Sequence, residues 1–303
     1  MKKYISAALL FAAIVFSFDS CQREDSQDVV ETGLETAVTF EASIGGDVEA
    51  TRTALSFKFT PSWDNTPAGN IHLFETSPSG STVEGENVSM IIDESNPEIA
   101  FFKAEFGAPK YAPASKAGDF YSYSGVIAPV DAEGNYFIPA EQYPFTKAGA
   151  ENPESASNLD PGADFLVARS TAEYPGSMTG AKVSLSFERP VSVTRLAIMN
   201  VEGERIDKVV IESEDFITGS VKYSDIDFAG NFSFSTDVAS KASKTITLIY
   251  DSKTNPLKIS AEGTMYAWLT LIPGSHVIKS ITVYTDKYSY TKTGGKTMNF
   301  KKG

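Results

Sequence analysis

From Ala37 onward the chain alternates apolar and polar residues with a period of two, in short runs broken by Gly, Pro, Asn and Asp. Val38-Thr-Phe40-Glu-Ala42-Ser-Ile44 is the first such run, stopping at Gly45-Gly46, and Thr53 to Thr60 is the second, stopping at Pro61. Further strand-like pieces follow at Ile71–Phe74, Val88–Ile92, Ile99–Phe106, Asp119–Ser124, Tyr136–Pro139 and Phe165–Ala168. Residues 144–164 crowd Gly, Pro, Ser and Asn with few apolar positions and read as a long surface loop. After a break at Tyr174–Gly180, alternation resumes at Lys182–Phe187, Ser192–Asn200, Ile206–Glu212, Ser220–Tyr223, Phe232–Phe234, Thr245–Tyr250, Tyr266–Ile272, Ser280–Tyr284 and Thr297–Phe300. Period two places alternate side chains on opposite faces of a strand. No window of a dozen residues carries an apolar stripe at helical spacing. The pattern predicts an all-β fold with little helix: two tandem antiparallel β-sandwich domains, over residues 37–176 and 181–303.

Ahead of the first strand lies a different kind of segment. Lys2 and Lys3 give a basic start, Ile5 to Phe18 run without a charge, and Asp19-Ser20-Cys21 close the stretch. That run is shorter than the roughly 20 apolar residues of a spanning helix. It has the shape of a secretory signal over residues 1–20. Cys21 is the only cysteine, so no intrachain disulfide is available to an exported chain. Its place directly after the apolar run and small Ser20 is similar to a lipoprotein box, in which lipid on the Cys21 thiol anchors the new N-terminus. Phe18 and Asp19 depart from the usual residues of that box. Residues 21–36 are acidic and aperiodic, and read as a solvated tether.

Composition narrows the class of partner. Without residues 1–20 the chain has 24 basic and 38 acidic residues, a formal charge of about −14. A nucleic-acid-binding chain is expected to carry a basic face, so this balance argues against nucleic acid. Catalytic chemistry is thin as well. There are two histidines: His72, inside a strand run with a core or cross-strand role expected, and His276, after Pro273-Gly-Ser in an expected exposed turn. No serine sits in a nucleophile elbow, and one cysteine with two separated histidines does not make a zinc site. Asp225-Ile-Asp227 spacing would put two carboxylates on one strand face, solvated or bridged by calcium. Gly294-Gly295 reads as a turn. Tyr111, Phe120, Tyr121, Tyr123, Tyr136 and Tyr143, and separately Tyr284, Tyr288 and Tyr290, could stack on sugars, although alternation sends about half of such rings into a core. No enzyme activity, cofactor or metal is expected.

The order of these features resembles the fimbrillin-like lipoproteins of the Bacteroidetes group, subunits of protease-assembled surface pili and related adhesins. The resemblance rests in the first half on Val38-Thr-Phe40, Thr51-Arg52-Thr53, Trp63-Asp64, Ile71-His-Leu-Phe74, Tyr121-Ser-Tyr123, Pro139-Ala-Glu-Gln142 and Asp164-Phe-Leu166-Val-Ala168. In the second half it rests on Val183-Ser-Leu-Ser-Phe187, Val193-Thr-Arg-Leu196-Ala-Ile-Met-Asn200, Ile206 and Ile281-Thr-Val-Tyr284-Thr-Asp286. Asn65-Thr-Pro67 replaces the glycine and aspartate that often follow the tryptophan strand.

The resemblance implies two transthyretin-like sandwiches and an outer-membrane lipoprotein exposed at the surface or in a fimbrium. It also implies other pilin subunits and an arginine-specific protease as partners, with cleavage between Arg52 and Thr53 followed by strand exchange. Arg52 stands in an expected exposed loop, where nicking is favoured, and Arg23 is a competing site. The donor strand is expected within Ser280–Phe300, and the chain ends shortly after it with no added tip-adhesin domain expected. The rival expectation is a glycan-binding surface lipoprotein that never polymerises, recognising a host or bacterial surface ligand.

Overall fold

The computed structural model describes residues 37–44, 68–92, 99–106, 120–144, 159–170, 172–175, 182–199, 204–229, 231–237, 241–250 and 264–302. The first strands are β1 Ala37–Ile44, β2 Ile71–Thr76, β3 Thr82–Glu84, β4 Glu86–Ile92, β5 Ile99–Glu105, β6 Phe120–Ile127, β7 Asn135–Phe137, β8 Glu141–Gln142 and β9 Leu166–Arg169. They are followed by β10 Tyr174–Pro175, β11 Lys182–Phe187, β12 Ser192–Met199, β13 Ile206–Ser213, β14 Ser220–Lys222, β15 Thr245–Ile249, β16 Thr264–Leu271, β17 Gly274–Thr285 and β18 Ser289–Phe300. The only helical pieces among the described residues are 3-10 turns, such as Tyr223–Asp225. The all-β reading holds. The expected strand at Thr53–Thr60 lies outside the described residues.

Two sheets enclose the first core. One has the order β11-β1-β5-β4; the other runs β10-β6-β2-β3, with β9 also paired to β6. Phe40, Leu73, Phe102, Tyr123, Leu185 and Phe187 meet between them. Strand β6 shows why its sheet is buried on both sides. Tyr123 and Ile127 face this core, while Val126 and Ala128 face a second cluster with Tyr136, Ile138, Phe165 and Val221. Gly125 is required on β6 because a Cβ there would lie 2.7 Å from the Phe187 ring. The third cluster packs the sheet β18-β17-β13-β15-β8 against the pair β12-β16, around Ile206, Val209, Ile246, Leu248, Ala267 and Leu269.

The linker expected at 174–180 is described only at Tyr174–Pro175, which pairs with Tyr121 and Phe120 of β6 as a short edge strand. Proline fits such an edge because it has no N–H to give a ladder. On either side of this stretch the sheets share strands. β11 lies parallel to β1, β14 pairs with β7, and β15 pairs in parallel with β8. Gln142 adds a side-chain tie: its Oε1 accepts the Thr270 N–H at 2.9 Å and its Nε2 donates to the Thr270 carbonyl at 2.7 Å. An amide used this way satisfies one residue of the β16 edge as a neighbouring strand would.

Four local expectations are corrected. Phe232–Phe234 is not a ladder strand; its rings pack on Phe165 and only Ser235 bridges to Ser220. Asp225 closes a 3-10 turn, so Asp225 and Asp227 do not share a strand face. They accept hydrogen bonds locally, from Ser224 Oγ and the Ala229 N–H. Gly294-Gly295 is not a turn but an irregularity inside β18, where the register slips between Ile278 and Ser280. A Cβ on Gly294 would lie 2.7 Å from the Ile278 carbonyl oxygen, and Gly295 has φ +106°, so both positions need glycine. His276 is buried at 7% exposure rather than exposed, because β17 starts at Gly274. Its Nε2 bonds the Ile272 carbonyl at 2.9 Å and its ring lies beside Phe300.

Candidate functional site

Strand β1 is the feature of the fold whose placement carries functional meaning. Its sequence alternates Val38, Phe40 and Ala42 with Thr39 and Glu41, and the alternation sends the first set inward. Phe40 and Ala42 are 0% exposed. The Phe40 ring makes edge contacts with Tyr123 at 5.4 Å and Phe106 at 6.0 Å. Burying a phenylalanine this fully stabilises by about 1.5–3 kcal/mol.

Both backbone edges of β1 are paired. Phe40 stands opposite Phe102 of β5, antiparallel, and opposite Val183 of β11, parallel. A parallel partner cannot be reached through a hairpin and needs a long crossover, which here is the chain from Ile44 to Lys182. β1 therefore fills a slot between two strands that do not touch each other in the ladder. Without β1, the facing edges of β5 and β11 would be unpaired and the space held by Val38, Phe40 and Ala42 would open. An open edge of that kind is a template for another strand.

The wall beyond β11 is pinned by charge. Arg189, two residues past Phe187, donates from Nε to Asp164 Oδ1 at 2.7 Å and from Nη2 to Oδ2 at 2.8 Å. Burial alone would lower the guanidinium pKa, but the Asp164 carboxylate beside it leaves it raised. The Val167 and Glu188 backbones exchange hydrogen bonds at 2.9 Å in the same place. The pair joins a buried guanidinium to a half-buried carboxylate, and nothing local in Asp164-Phe or Glu188-Arg189-Pro distinguishes it from solvated charges.

No protein-family model matches the chain, and no curated protein matches it. A crystal structure of a fimbrial assembly protein from Parabacteroides distasonis is similar to it. The similarity is at 11% sequence identity and a TM-score of 0.30, over 84% of this chain and 98% of that one.

Cys21, Arg52 and Thr53 lie outside the described residues, Arg52 eight positions beyond the end of β1. His72 has the cross-strand role expected of it, its Nδ1 bonding Glu84 Oε1 at 2.7 Å. Among the described residues no group of three or more His, Cys, Asp or Glu could hold a metal ion. The aromatic candidates separate. Tyr123 and Tyr136 are core residues, Tyr111 lies outside the described residues, and Phe120 and Tyr143 are exposed. Tyr288 and Tyr290 are exposed but meet at an interplanar angle of 71°, and Lys208 Nζ sits 4.5 Å from the Tyr284 ring centroid. Neither arrangement is the flat, coplanar pair that would favour a glycan platform.

Proposed function

We propose that the protein is a surface fimbrial subunit or adhesin without enzymatic activity, whose assembly uses the slot occupied by β1. The observation that carries this reading is the double pairing of β1 between β5 and β11, with Phe40 fully buried in the shared core. In this reading lipid on Cys21 anchors the exported chain to the outer membrane. An arginine-specific protease then cuts between Arg52 and Thr53, and the fragment bearing lipid, tether and β1 leaves. A strand from another pilin subunit takes the vacated place by β-augmentation. The acidic chain needs no nucleic-acid partner and no cofactor for any of these steps.

The test is to incubate the purified protein with an arginine-specific protease and follow both its N-terminus and its size. Cleavage after Arg52, accompanied by an SDS-resistant ladder, is the expected result. Persistent resistance at Arg52 in the folded protein would sink the proposal.

A further inference from the structure

Charge is distributed unevenly along this acidic chain. Residues 274–303 hold six of its 26 basic residues and one of its 39 acidic ones, leaving 20 against 38 in the rest. From Lys287 onward there are five lysines and no carboxylate. Residues 274–303 form the whole of β17 and of β18, and β18 is the outermost strand of its sheet, its far edge unpaired among the described residues. Cross-strand partners share a face, so Lys292 lies beside Ile281 and Lys296 beside Ile278. Tyr290 stands on the same side, its hydroxyl donating to Glu204 Oε1 at 2.7 Å.

Lysines and an irregularity on an edge strand are devices that prevent indiscriminate pairing. They do so selectively. Two copies of β18 meeting edge to edge would bring lysines together, and like charges opposite one another destabilise a pair. An acidic edge would be accepted. The chain offers acidic ground at the start of β4, the outermost strand of the first sheet, also unpaired on its far edge among the described residues. β4 itself carries a single carboxylate, Glu86, and farther along Ser89 stands opposite Lys103 of β5. Glu86 is exposed at its start, opposite Glu105 of β5, with Glu84 of β3 two residues away. Ile91 on the same strand is 68% exposed, an apolar side chain that a strand added there would partly cover.

We propose that the β18 edge of one molecule docks on the β4 edge of a second copy of this chain, Lys292 and Lys296 facing the Glu84–Glu86–Glu105 carboxylates. The contact joins two different surfaces, so it does not close on itself in a pair and propagates head to tail. It requires neither cleavage nor departure of β1, and so stands apart from strand replacement.

The test is sedimentation of the uncleaved full-length chain in detergent at two ionic strengths, about 50 and 300 mM, which bracket a large change in screening. Concentration-dependent self-association that weakens at least tenfold at the higher salt is expected. Lys292→Glu with Lys296→Glu should abolish it, Glu86→Lys should weaken it, and combining these reversals should restore it. All these residues are exposed, so melting temperatures should be unchanged. Association indifferent to salt, or no rescue by the combined reversals, overturns the proposal. So does a monomer whose lysines instead bind dextran sulfate, which would make an anionic polysaccharide the occupant.

Discussion

β1 and β18 are the first and last strands of the described chain, and opposite forces hold them. β1 has a partner on both edges and sends Val38, Phe40 and Ala42 into a closed core. β18 has a partner on one edge, and of its twelve residues only Phe300 is buried. Side-chain burial therefore secures β1, whereas backbone hydrogen bonds to β17 secure β18. The difference bears directly on strand exchange. A strand entering the β1 slot must offer small or apolar side chains at alternate positions. β18 offers Ser and Thr on one face and Tyr290, Lys292, Lys296 and Met298 on the other, which do not suit that core. Within Ser280–Phe300, Ile281 and Val283 have the right alternation, but they belong to β17, between β13 and β18. β18 is free without being complementary; the β17 segment is complementary without being free.

The contrast can be broken by mutation, and the largest effect should come from β1. Phe40→Ala is expected to destabilise the protein by about 3–5 kcal/mol, read from urea unfolding midpoints. Thr291→Ala at an exposed β18 position should stay within about 0.5 kcal/mol. Comparable losses at the two sites would remove the distinction between a packed and an unpacked strand.

Next in size is the irregularity that shapes the β18 edge. Gly294→Ala forces a methyl group against the Ile278 carbonyl oxygen, for an expected loss of about 1–3 kcal/mol. Hydrogen exchange should report it as faster exchange in β17 and β18 with β1 unchanged. Faster exchange of β1 amides as well would mean that the two strands are energetically coupled.

The smallest effect is a pH dependence confined to the hairpin. The hydrogen bond to Glu204, helped by some desolvation and by the negative charge nearby, pushes the Tyr290 hydroxyl up to about 12 from its ordinary 10.0. The protonated hydroxyl makes the bond, so its contribution is complete below pH about 10 and is lost as pH rises toward about 12. In phenolate absorbance Tyr290→Phe should remove one tyrosine from the late part of the titration, where Tyr136 and Tyr250, pushed up by burial, also contribute, while leaving the β1 region unaffected. Titration of Tyr290 with the unfolded protein's tyrosines would show that the bond is not held in solution.

Period-two alternation was enough to place β1, β5, β11, β13 and β15, because each buries one face and its pattern is local. It did not reveal partners. That Lys182–Phe187 returns to lie beside Val38–Ile44 depends on a crossover far longer than any pattern window. Short strands such as Glu141–Gln142 were missed because two residues carry no period, and their role comes from Gln142 reaching Thr270. Only Thr297–Phe300 of β18 carries a legible pattern, with Met298 and Phe300 alternating with polar residues. The rest is polar on both faces and looks like loop until β17 supplies its ladder. Among candidate site residues, the burial of His276 followed from a strand that begins earlier than Pro273-Gly-Ser suggests.

The most direct measurement is to lock β1 in place. Ala42 stands opposite Ala100 in the antiparallel β1–β5 pair, and both are buried. Directly opposed Cα atoms in such a pair lie about 4.5–5.5 Å apart, within reach of a disulfide. The variant Ala42→Cys/Ala100→Cys, treated with the arginine-specific protease, should be cut after Arg52 yet remain monomeric while oxidised. Reduction should release the β1 fragment and let the SDS-resistant ladder form. A ladder that forms equally well with the disulfide intact would contradict the assignment of the β1 slot as the assembly site.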